Sequence, residues 1–423
     1  MLILKKIEKK VTEWKEEIKN ININYGSKVI SECTVSQAYG GMRGVKSLVC
    51  DTSVVDPDKG LIIRGYPILD LVDNSPEEIF YLLCTGEFPS EDELNDLKNE
   101  LNLRSEVPSY VWDVLKEMPK DSHPMVMFNT AVLIMQKESI FSRKYGGGLS
   151  KNDYLEPTLE DSLNLLAKLP SIAAGIYRIK YNKGNIIDFD SNLDWGTNYA
   201  KMLGFNDKNF IKLINLYLVL HCDHESGNVS QNASNIVNSA LSDVYYSVSA
   251  GLNGLAGPLH GLANQECLRF IIDIKNEFNG VPSDDDISKF CWNTLNSGRV
   301  IPGYGHGVLR NTDPRFEAFI NFGDNISMND DTFKIVKKLY EIVPNILKEI
   351  GKAKNPWPNV DAVSGSLLYH FGLKEFDYYT VLFAVSRSMG ILSQIIINRS
   401  LGMPIVRPKS VSTSWIKEFV SGN

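Results

Sequence analysis

The sequence predicts an all-α protein with one small β-hairpin near its N-terminus. Helix start signals recur along the chain, apolar residues repeat at helical spacing, and the clearest strand pattern is confined to residues 48–63. We find no internal repeat and no polar stretch long enough to link independent domains. We therefore expect one compact body with an inserted smaller lobe.

The first two elements are an amphipathic helix and the hairpin. Val11, Trp14 and Ile18 lie three to four residues apart, which predicts a helix with one apolar face. Leu48–Val55 and Leu61–Ile63 then flank a turn that contains Asp, Pro and Gly, a pattern typical of two antiparallel strands.

Three segments carry helix start signals. Ser75–Glu78 is a capping box with proline at the first helical position, and Gly86 supplies the stop. Ser90–Glu93 is a second capping box, and Thr158–Asp161 predicts a third helix start. Farther on, an apolar stripe over residues 335–350 ends at a glycine.

Composition excludes several classes of protein. The 423 residues carry a net charge of −7 and a pI near 5.5, whereas nucleic-acid binding requires a dense basic face. No apolar run approaches the ~20 residues of a membrane span, and Leu213–Leu220 predicts a buried helix. The six cysteines form no Cys-x-x-Cys pair, so we expect reduced thiols.

The N-terminal residues favour a cytoplasmic location. They lack the apolar core of a secretory signal and include Glu8, Glu13, Glu16 and Glu17, which transit peptides avoid. A mitochondrial matrix protein whose leader has been removed would look similar, so the matrix is the alternative.

Two histidines lie in glycine-rich segments and predict proton chemistry on a tightly held small molecule. His260 lies in Gly257–Gly261 and His306 in Pro302–Gly307. Glycine lets the backbone approach a ligand closely, and histidine transfers protons near neutral pH. His221, His224 and Glu225 form a further polar cluster. A metal site is possible at this spacing, but a hydrogen-bonding site fits better because no other ligand cluster accompanies it.

The charged candidates each have a structural and a functional interpretation. Arg387 interrupts the apolar segment Val381–Ile397, where it could form a structural ion pair or grip a substrate carboxylate. Arg310 and Arg315 suit surface salt bridges or a clamp beside His306, and Arg407 is a further candidate. Asp361 could cap the helix that follows it, or act as a general base aimed by the proline-rich segment before it.

Taken in order, these segments resemble the citrate synthase family, in its mitochondrial form. The resemblance extends from about Tyr39 to Ser410 and rests on three motifs in register. They are Leu255–Glu266 around the first histidine, Pro302–His306 with Asp313–Arg315, and Lys352–Asp361.

The resemblance implies a role for each matching residue, and no metal or cofactor. Asp361 would remove a methyl proton from acetyl-CoA, His260 would stabilise the enol or enolate, and His306 would polarise the carbonyl of oxaloacetate. The reaction would belong to the tricarboxylic acid cycle and yield citrate and CoA. Oxaloacetate would be held by His224, Arg315 and Arg387, and by Arg407 from the other subunit of a homodimer. Arg43, Arg310 and Lys352 would contact CoA.

The resemblance also implies a division into two lobes. Residues 1–261 and 373–423 would form a large helical domain, and residues 262–372 a small domain that closes over the substrates. Val363, Ser226, Asn232 and Gly307 depart from the residues usual in this form of the family. Two alternatives therefore stay open: a 2-methylcitrate synthase that uses propionyl-CoA, and a non-catalytic paralogue that acts as a binding protein.

Overall fold

The all-α prediction is confirmed by the computed structural model, which describes residues 1–327, 329–351 and 354–422. In that part of the chain, 64% of the residues are helical and the strands form one small sheet. The α-helices are α1 (Leu2–Tyr25), α2 (Val35–Tyr39), α3 (Pro76–Thr85), α4 (Glu91–Leu103), α5 (Ser109–Glu117), α6 (Pro124–Ile134), α7 (Ile140–Gly146), α8 (Leu155–Lys180), α9 (Trp195–Leu203), α10 (Lys208–Leu220), α11 (Val229–Ser239), α12 (Val244–Leu255), α13 (Ala263–Glu277), α14 (Asp284–Asn296), α15 (Pro314–Ile326), α16 (Asp331–Ile350), α17 (Asp361–His370), α18 (Tyr379–Leu401) and α19 (Thr413–Ser421). Short 3₁₀ helices cover Ile68–Leu71, Met135–Glu138, Lys151–Asp153 and Phe376–Tyr378.

The predicted hairpin is present, shorter than expected and extended by a third strand. Strands β1 (Ser53–Asp56), β2 (Gly60–Ile63) and β3 (Tyr66–Pro67) pair antiparallel in that order. Gly60 has φ +80, and a Cβ there would lie 2.4 Å from the ring of Pro314. The hairpin turn is therefore packed against the first residue of α15, which lies beside the functional cavity described below.

Two of the three predicted helix starts are confirmed. Ser75 and Glu78 form a complete capping box at α3, which has proline in its first turn and ends at Gly86 in the left-handed conformation. Ser90 and Glu93 form the same reciprocal pair at α4. Each box satisfies two backbone N–H groups that would otherwise lack partners at the helix start.

The third predicted start, at Thr158–Asp161, is wrong. Both residues lie inside α8, where the Thr158 hydroxyl donates to the Tyr154 carbonyl at 2.7 Å. The Asp161 carboxylate instead accepts hydrogen bonds from the Ser139 hydroxyl and from the N–H groups of Ile140 and Phe141. Asp161 thus satisfies the start of α7, a helix that precedes it in the chain.

Helix α18 runs through the centre of the molecule. It contacts α3, α8, α10, α11 and α12, and its side chains are buried on nearly every face. By length and composition, residues 376–401 could cross a membrane, with a mean hydropathy of 1.6, so our statement that no apolar run approaches that length is wrong. Because 94% of this window is buried inside the protein, its apolar character is accounted for by core packing.

Helices α13 to α17 pack mainly against one another. Their main contacts with the rest of the molecule are those of α15 and α17 with α10, and those of α15 with β2 and with the 3₁₀ helix Ile68–Leu71. The predicted apolar stripe forms the buried face of α16, which ends at Gly351 with φ 69. The N-terminal helix α1 buries Ile3, Ile7 and Val11 against α3 and α4, which confirms its amphipathic prediction.

Candidate active site

One cavity brings together most of the residues that the sequence singled out. It has a volume of about 190 Å³ and lies where α10, α15, α17 and α18 approach the loops before α11, α13 and α15. The residues that line it are His221, His224, Asn228, His260, His306, Arg315, Asn359, Val360, Asp361, Phe383 and Arg387. Residues more than 160 positions apart in the sequence therefore meet in one small space.

The His306 loop and the segment before Asp361 are joined by hydrogen bonds. Gly305 N–H donates to the Trp357 carbonyl and Asn359 N–H to the Gly303 carbonyl, both at 2.9 Å. Gly303 has φ +79, and a Cβ on it would lie 2.9 Å from the Cα of Ala362. Glycine is required here because the two segments touch backbone to backbone. His306 and Asp361 are consequently positioned as a unit.

The backbone assigns a tautomer to His306. Its Nδ1 accepts hydrogen bonds from the backbone N–H groups of Val308 and Leu309, both with a donor–acceptor distance of 3.0 Å. An N–H can only donate, so the proton of the neutral ring lies on Nε2. Burial, reinforced by the charge of Arg315, lowers the pKa of His306 to about 4. His306 is therefore a neutral hydrogen-bond donor through Nε2 at physiological pH.

His260 is held in the opposite way. The Ser230 N–H donates to its Nε2 at 3.4 Å, and the Ser230 hydroxyl lies 2.9 Å from the same atom. The backbone bond favours the tautomer that carries its proton on Nδ1. Burial first, and then the charge of Arg387, lower the pKa of His260 to about 4. The cavity thus contains two neutral imidazoles that donate through different ring nitrogens.

Asp361 is the first residue of α17 rather than its cap. Its backbone N–H donates to Asn359 Oδ1 at 3.0 Å, and no side-chain hydrogen bond caps this helix. The capping interpretation of Asp361 is therefore wrong. Burial raises the pKa of Asp361 to about 6; the charge of Arg315 opposes this shift and that of Asp313 adds to it. A carboxylate with this pKa is ionised at pH 7 but is a stronger base than an exposed aspartate.

Arg315 and Arg387 both line the cavity as buried guanidinium groups. Arg315 forms a salt bridge with Asp313. Its Nε donates to Asp313 Oδ1 at 3.0 Å, and its Nη2 donates to Asp313 Oδ2 at 2.7 Å. Arg387 donates from Nε to the His221 carbonyl at 3.0 Å and lies over the Phe383 ring at 4.8 Å. Among the described residues no carboxylate oxygen lies within 4.0 Å of Arg387, which contradicts the structural ion pair. A buried cation without a carboxylate partner is suited to bind an anion.

His224 completes the predicted set inside the cavity. Its ring centroid lies 5.6 Å from that of His306. Burial and the neighbouring charges of Arg315 and Arg387 lower the pKa of His224 well below its usual value, so the ring is neutral.

The remaining predicted residues lie outside this cavity or outside the described chain. Arg43, Arg310 and Arg407 are exposed, and none of them lines the cavity. Arg310 donates to the carbonyls of Val308 and Leu309 at 2.7 and 2.8 Å, so it braces the His306 loop. Lys352 lies outside the described residues.

Sequence reasoning missed several polar neighbours of the catalytic candidates. Asn228 Oδ1 accepts from the Ser230 hydroxyl at 2.8 Å, and Asn359 Nδ2 donates to the Gly305 carbonyl at 3.1 Å. Asn228 and Asn359 have no distinctive spacing that could have revealed them. By contrast, aspartate followed by proline is a typical helix start, so the Asp313-Pro314-Arg315 sequence does signal a capping aspartate beside an arginine. In the described chain, no three His, Cys, Asp or Glu side chains are grouped as metal ligands.

Known proteins resemble this chain along nearly all of its length. The family described as citrate synthase, C-terminal domain, matches residues 41–409. The mitochondrial citrate synthase of Xiphias gladius is 49% identical over 414 residues, which cover 95% of this chain and 88% of that protein. The mitochondrial citrate synthase of Saccharomyces cerevisiae is 48% identical over 415 residues, which cover 96% of this chain and 87% of that protein.

Solved structures show the same architecture. A citrate synthase from Thermoplasma acidophilum, in a ternary complex with carboxymethyl coenzyme A and oxaloacetate, superposes with a TM-score of 0.77 at 25% identity, covering 90% of this chain and 96% of that one. A citrate synthase from Pyrobaculum aerophilum superposes with a TM-score of 0.79 at 28% identity, covering 88% of this chain and 92% of that one.

The helical fold and the relatives that share it define an acyl-transferring enzyme. More particularly, the chain belongs to the citrate synthase family. Citrate synthases convert an acyl group into an alkyl group on transfer and act in the tricarboxylic acid cycle. The relatives give no support to the 2-methylcitrate or non-catalytic alternatives, nor to the cytoplasmic location that we predicted.

Proposed function

We propose that this protein condenses acetyl-CoA with oxaloacetate and water to give citrate and CoA. The observation that carries the proposal is the convergence of His260, His306 and Asp361 in one cavity with two buried arginines. Two neutral donors and one base are the groups that this carbon–carbon bond formation requires.

Proton removal is assigned to Asp361. A thioester methyl group is a very weak acid, so a carboxylate succeeds only if the charge that develops on the thioester oxygen is stabilised at the same time. His260 supplies that donor through Nδ1, because its Nε2 is engaged by Ser230. Its depressed pKa supports donation from a neutral ring, which is better matched to an enolate than an imidazolium would be.

Polarisation of the ketone is assigned to His306. Its Nδ1 is occupied by two backbone N–H groups, which leaves the Nε2 proton for the oxaloacetate carbonyl oxygen. His224, Arg315 and Arg387 would hold the two carboxylates of oxaloacetate in place for attack. Arg387 is suited to a substrate carboxylate because no carboxylate oxygen of the described residues lies within 4.0 Å of it.

The lobe division supports closure over the substrates. Helices α13 to α17 fall within residues 262–372, and they pack mainly on one another. Closure of this small domain on the large one, residues 1–261 and 373–423, would exclude water while the enolate exists. Arg43, Arg310 and Lys352 would then contact CoA.

We also propose a homodimer in which Arg407 reaches the active site of the other subunit. Arg407 is exposed and lies outside its own cavity. Large apolar side chains are exposed on the flanking C-terminal segment and on α11, as a subunit interface would require. They include Val229, Ile236, Met403, Ile405, Val411, Trp415 and Phe419. The mitochondrial relatives support a location in the matrix.

The first test is oxaloacetate-dependent release of CoA thiol from acetyl-CoA. Asp361→Asn should lower kcat by about 10³-fold or more and leave oxaloacetate affinity within about threefold, because Asn keeps the shape but removes the base. Comparing acetyl-CoA with propionyl-CoA in the same assay measures the acyl preference. Unchanged turnover in Asp361→Asn would refute the assigned base.

A subunit-mixing experiment tests the trans role of Arg407. A hybrid of one Asp361→Asn subunit and one Arg407→Leu subunit contains one intact site if Arg407 acts across the interface, and none if it acts within its own subunit. Activity should appear on mixing two inactive homodimers. Hybrids that form but stay inactive would exclude the proposed exchange.

A further inference from the structure

Strand β1 connects two loops whose histidines line the cavity. The first, the His224 loop (residues 221–228), follows α10, and the second, the His306 loop, ends where α15 begins. Ser53 begins the strand and Pro57 follows its last residue, so the two lie about 13 Å apart in an extended chain. The strand pairs with β2 along its whole length, which makes it stiffer than a single extended segment.

The first end of the strand holds the His224 loop. The Ser53 hydroxyl donates to Asp223 Oδ2 at 2.8 Å and accepts the Glu225 N–H at 2.7 Å. The Thr52 hydroxyl donates to the same Asp223 oxygen at 2.5 Å. Asp223 is fully buried, so water does not compete for these hydrogen bonds. His224 lies between the two residues that Ser53 binds, and its backbone is therefore fixed relative to the strand.

The other end of the strand leads into the hairpin turn, which contacts the loop that precedes α15. The Arg310 N–H donates to the Pro57 carbonyl at 2.8 Å. Asp56 Oδ1 holds the turn in shape by accepting the N–H groups of Asp58 and Lys59, both at 2.9 Å. A preformed turn therefore meets this loop backbone to backbone.

Gly60 brings the same turn into direct contact with the start of α15. Its φ is +80, and a Cβ on it would lie 2.4 Å from Cδ and 2.5 Å from Cγ of Pro314. The contact leaves no room for even one methyl group. Because Pro314 directly precedes Arg315, a shift of the proline ring would also move the guanidinium that lines the cavity.

We propose that the β1–β2 hairpin sets the distance between the His224 loop and the His306 loop, with Ser53 and Gly60 as its positioning residues. This inference rests on the proposed function. The rings of His224 and His306 lie 5.6 Å apart between centroids, on the two proposed lobes. Oxaloacetate would contact both histidines, so an error of about 1 Å in their separation weakens its binding and its orientation for attack.

Two glycines of the hairpin region give a matched pair of variants. Gly60 and Gly65 have φ +80 and φ +89, so alanine introduces similar backbone strain at either position. A Cβ on Gly65 would meet no described heavy atom within 4 Å, whereas one on Gly60 would collide with Pro314. Pro314→Ala removes the two ring atoms that collide and leaves Asp313 as the cap of α15.

Oxaloacetate binding and turnover of the full-length enzyme measure the positioning. Gly60→Ala should weaken oxaloacetate binding by about tenfold in calorimetry and lower kcat by a similar factor, because the two loops are forced apart. Gly65→Ala should stay within about twofold of the wild type in both measurements. Adding Pro314→Ala to Gly60→Ala should restore most of the lost affinity and turnover. A purely structural role would instead lower the unfolding temperature of Gly60→Ala and leave oxaloacetate affinity unchanged.

The opposite end of the strand is tested by Ser53→Ala, which removes the hydroxyl that binds the His224 loop. This variant should also weaken oxaloacetate binding by about tenfold, while the bond between Arg310 and the Pro57 carbonyl remains available to it. Oxaloacetate affinity equal to that of the wild type would overturn the proposal.

Amide hydrogen exchange follows the contact of the turn independently of turnover. The Arg310 N–H should exchange about tenfold faster in Gly60→Ala than in Gly65→Ala, because it loses the Pro57 carbonyl. Equal effects of the two alanine variants on binding, kcat and exchange, or no recovery with Pro314→Ala, would overturn the proposal. A wild-type enzyme that shows the expected exchange but releases no thiol from acetyl-CoA would instead refute the proposed function.

Discussion

Arg315 and Arg387 line the same cavity, yet the protein surrounds them differently. Arg315 follows the start of α15 and is paired with Asp313, two residues away. Arg387 lies in the middle of α18, where its Nε donates to a backbone carbonyl and no carboxylate oxygen lies within 4.0 Å in the described chain. Arg315 is therefore neutralised by a directly bonded carboxylate, whereas Arg387 interacts with the buried Asp223 only at longer range. The difference indicates that the fold supplies part of the binding site and leaves part for the substrate to complete.

The strongest test of this comparison is Arg387→Gln. It should lower kcat/KM for oxaloacetate by about 10³-fold, which corresponds to about 4 kcal/mol, since a buried charged hydrogen bond to the substrate is lost. The unfolding temperature of the free enzyme should not fall, because an unpaired buried cation is removed. Thiol release and calorimetry measure the two effects.

A matched control for Arg387 is Arg399 on the same helix. Arg399 is also buried but donates to Asn238 and to the Ser242 carbonyl, away from the cavity. Arg399→Gln should destabilise the fold and leave kcat/KM within about threefold. If both variants lose activity equally, the distinction between a substrate arginine and a structural one is wrong.

The second test removes the partner of Arg315. Asp313→Asn should lower the free energy of unfolding by about 3 kcal/mol, because Asn can still cap α15 but leaves a buried guanidinium unpaired. Denaturant unfolding measures the change. Asp194→Asn is the control. Asp194 caps α9 by accepting the Thr197 N–H and forms no ion pair with any described residue, so this variant should lower the free energy of unfolding by less than about 1 kcal/mol. Equal losses of unfolding free energy in the two variants would contradict the claim that Asp313 stabilises the fold by pairing with Arg315.

The third test uses the two carboxylates of the site. Arg315 lowers the pKa of Asp313, whereas burial raises that of Asp361 to about 6. Only the ionised form of Asp361 is a base, so activity is present above its pKa and lost below it. We expect kcat/KM to be level above pH 6 and to fall about tenfold per pH unit below it. If kcat/KM instead begins to fall only near pH 4, in an enzyme shown to be folded at that pH, the assignment of Asp361 as the titrating base is contradicted.

The smallest expected effect is that of an exposed arginine. Within the described residues, the Arg310 guanidinium donates to the backbone carbonyls of Val308 and Leu309 in its own loop and is otherwise exposed to solvent. Arg310→Ala should raise KM for acetyl-CoA by about threefold and leave oxaloacetate affinity unchanged, because exposed charges are screened. A change in oxaloacetate affinity as large as that of Arg387→Gln would remove the contrast between exposed and buried arginines.

Local patterns predicted the local structure well. The capping boxes at Ser75 and Ser90 act within four residues, so the sequence contains every atom that they need. The failure at Asp161 shows the limit, because this carboxylate satisfies the start of a helix some twenty residues away. Likewise, Asp361 looked like a cap because the residue type fits, but Asn359 accepts its N–H instead.

By itself, the sequence determined the helical class and the helix ends with local caps, and its three motifs pointed to the residues to which we assign the chemistry. Tertiary structure alone decided which ring nitrogens of His260 and His306 donate, and that within the described residues no carboxylate oxygen lies within 4.0 Å of Arg387 and Nε2 of His221 is buried without a partner. Caps and apolar periodicity arise between residues close in the chain. Tautomers, pKa shifts and unpaired charges arise from groups that only folding brings together.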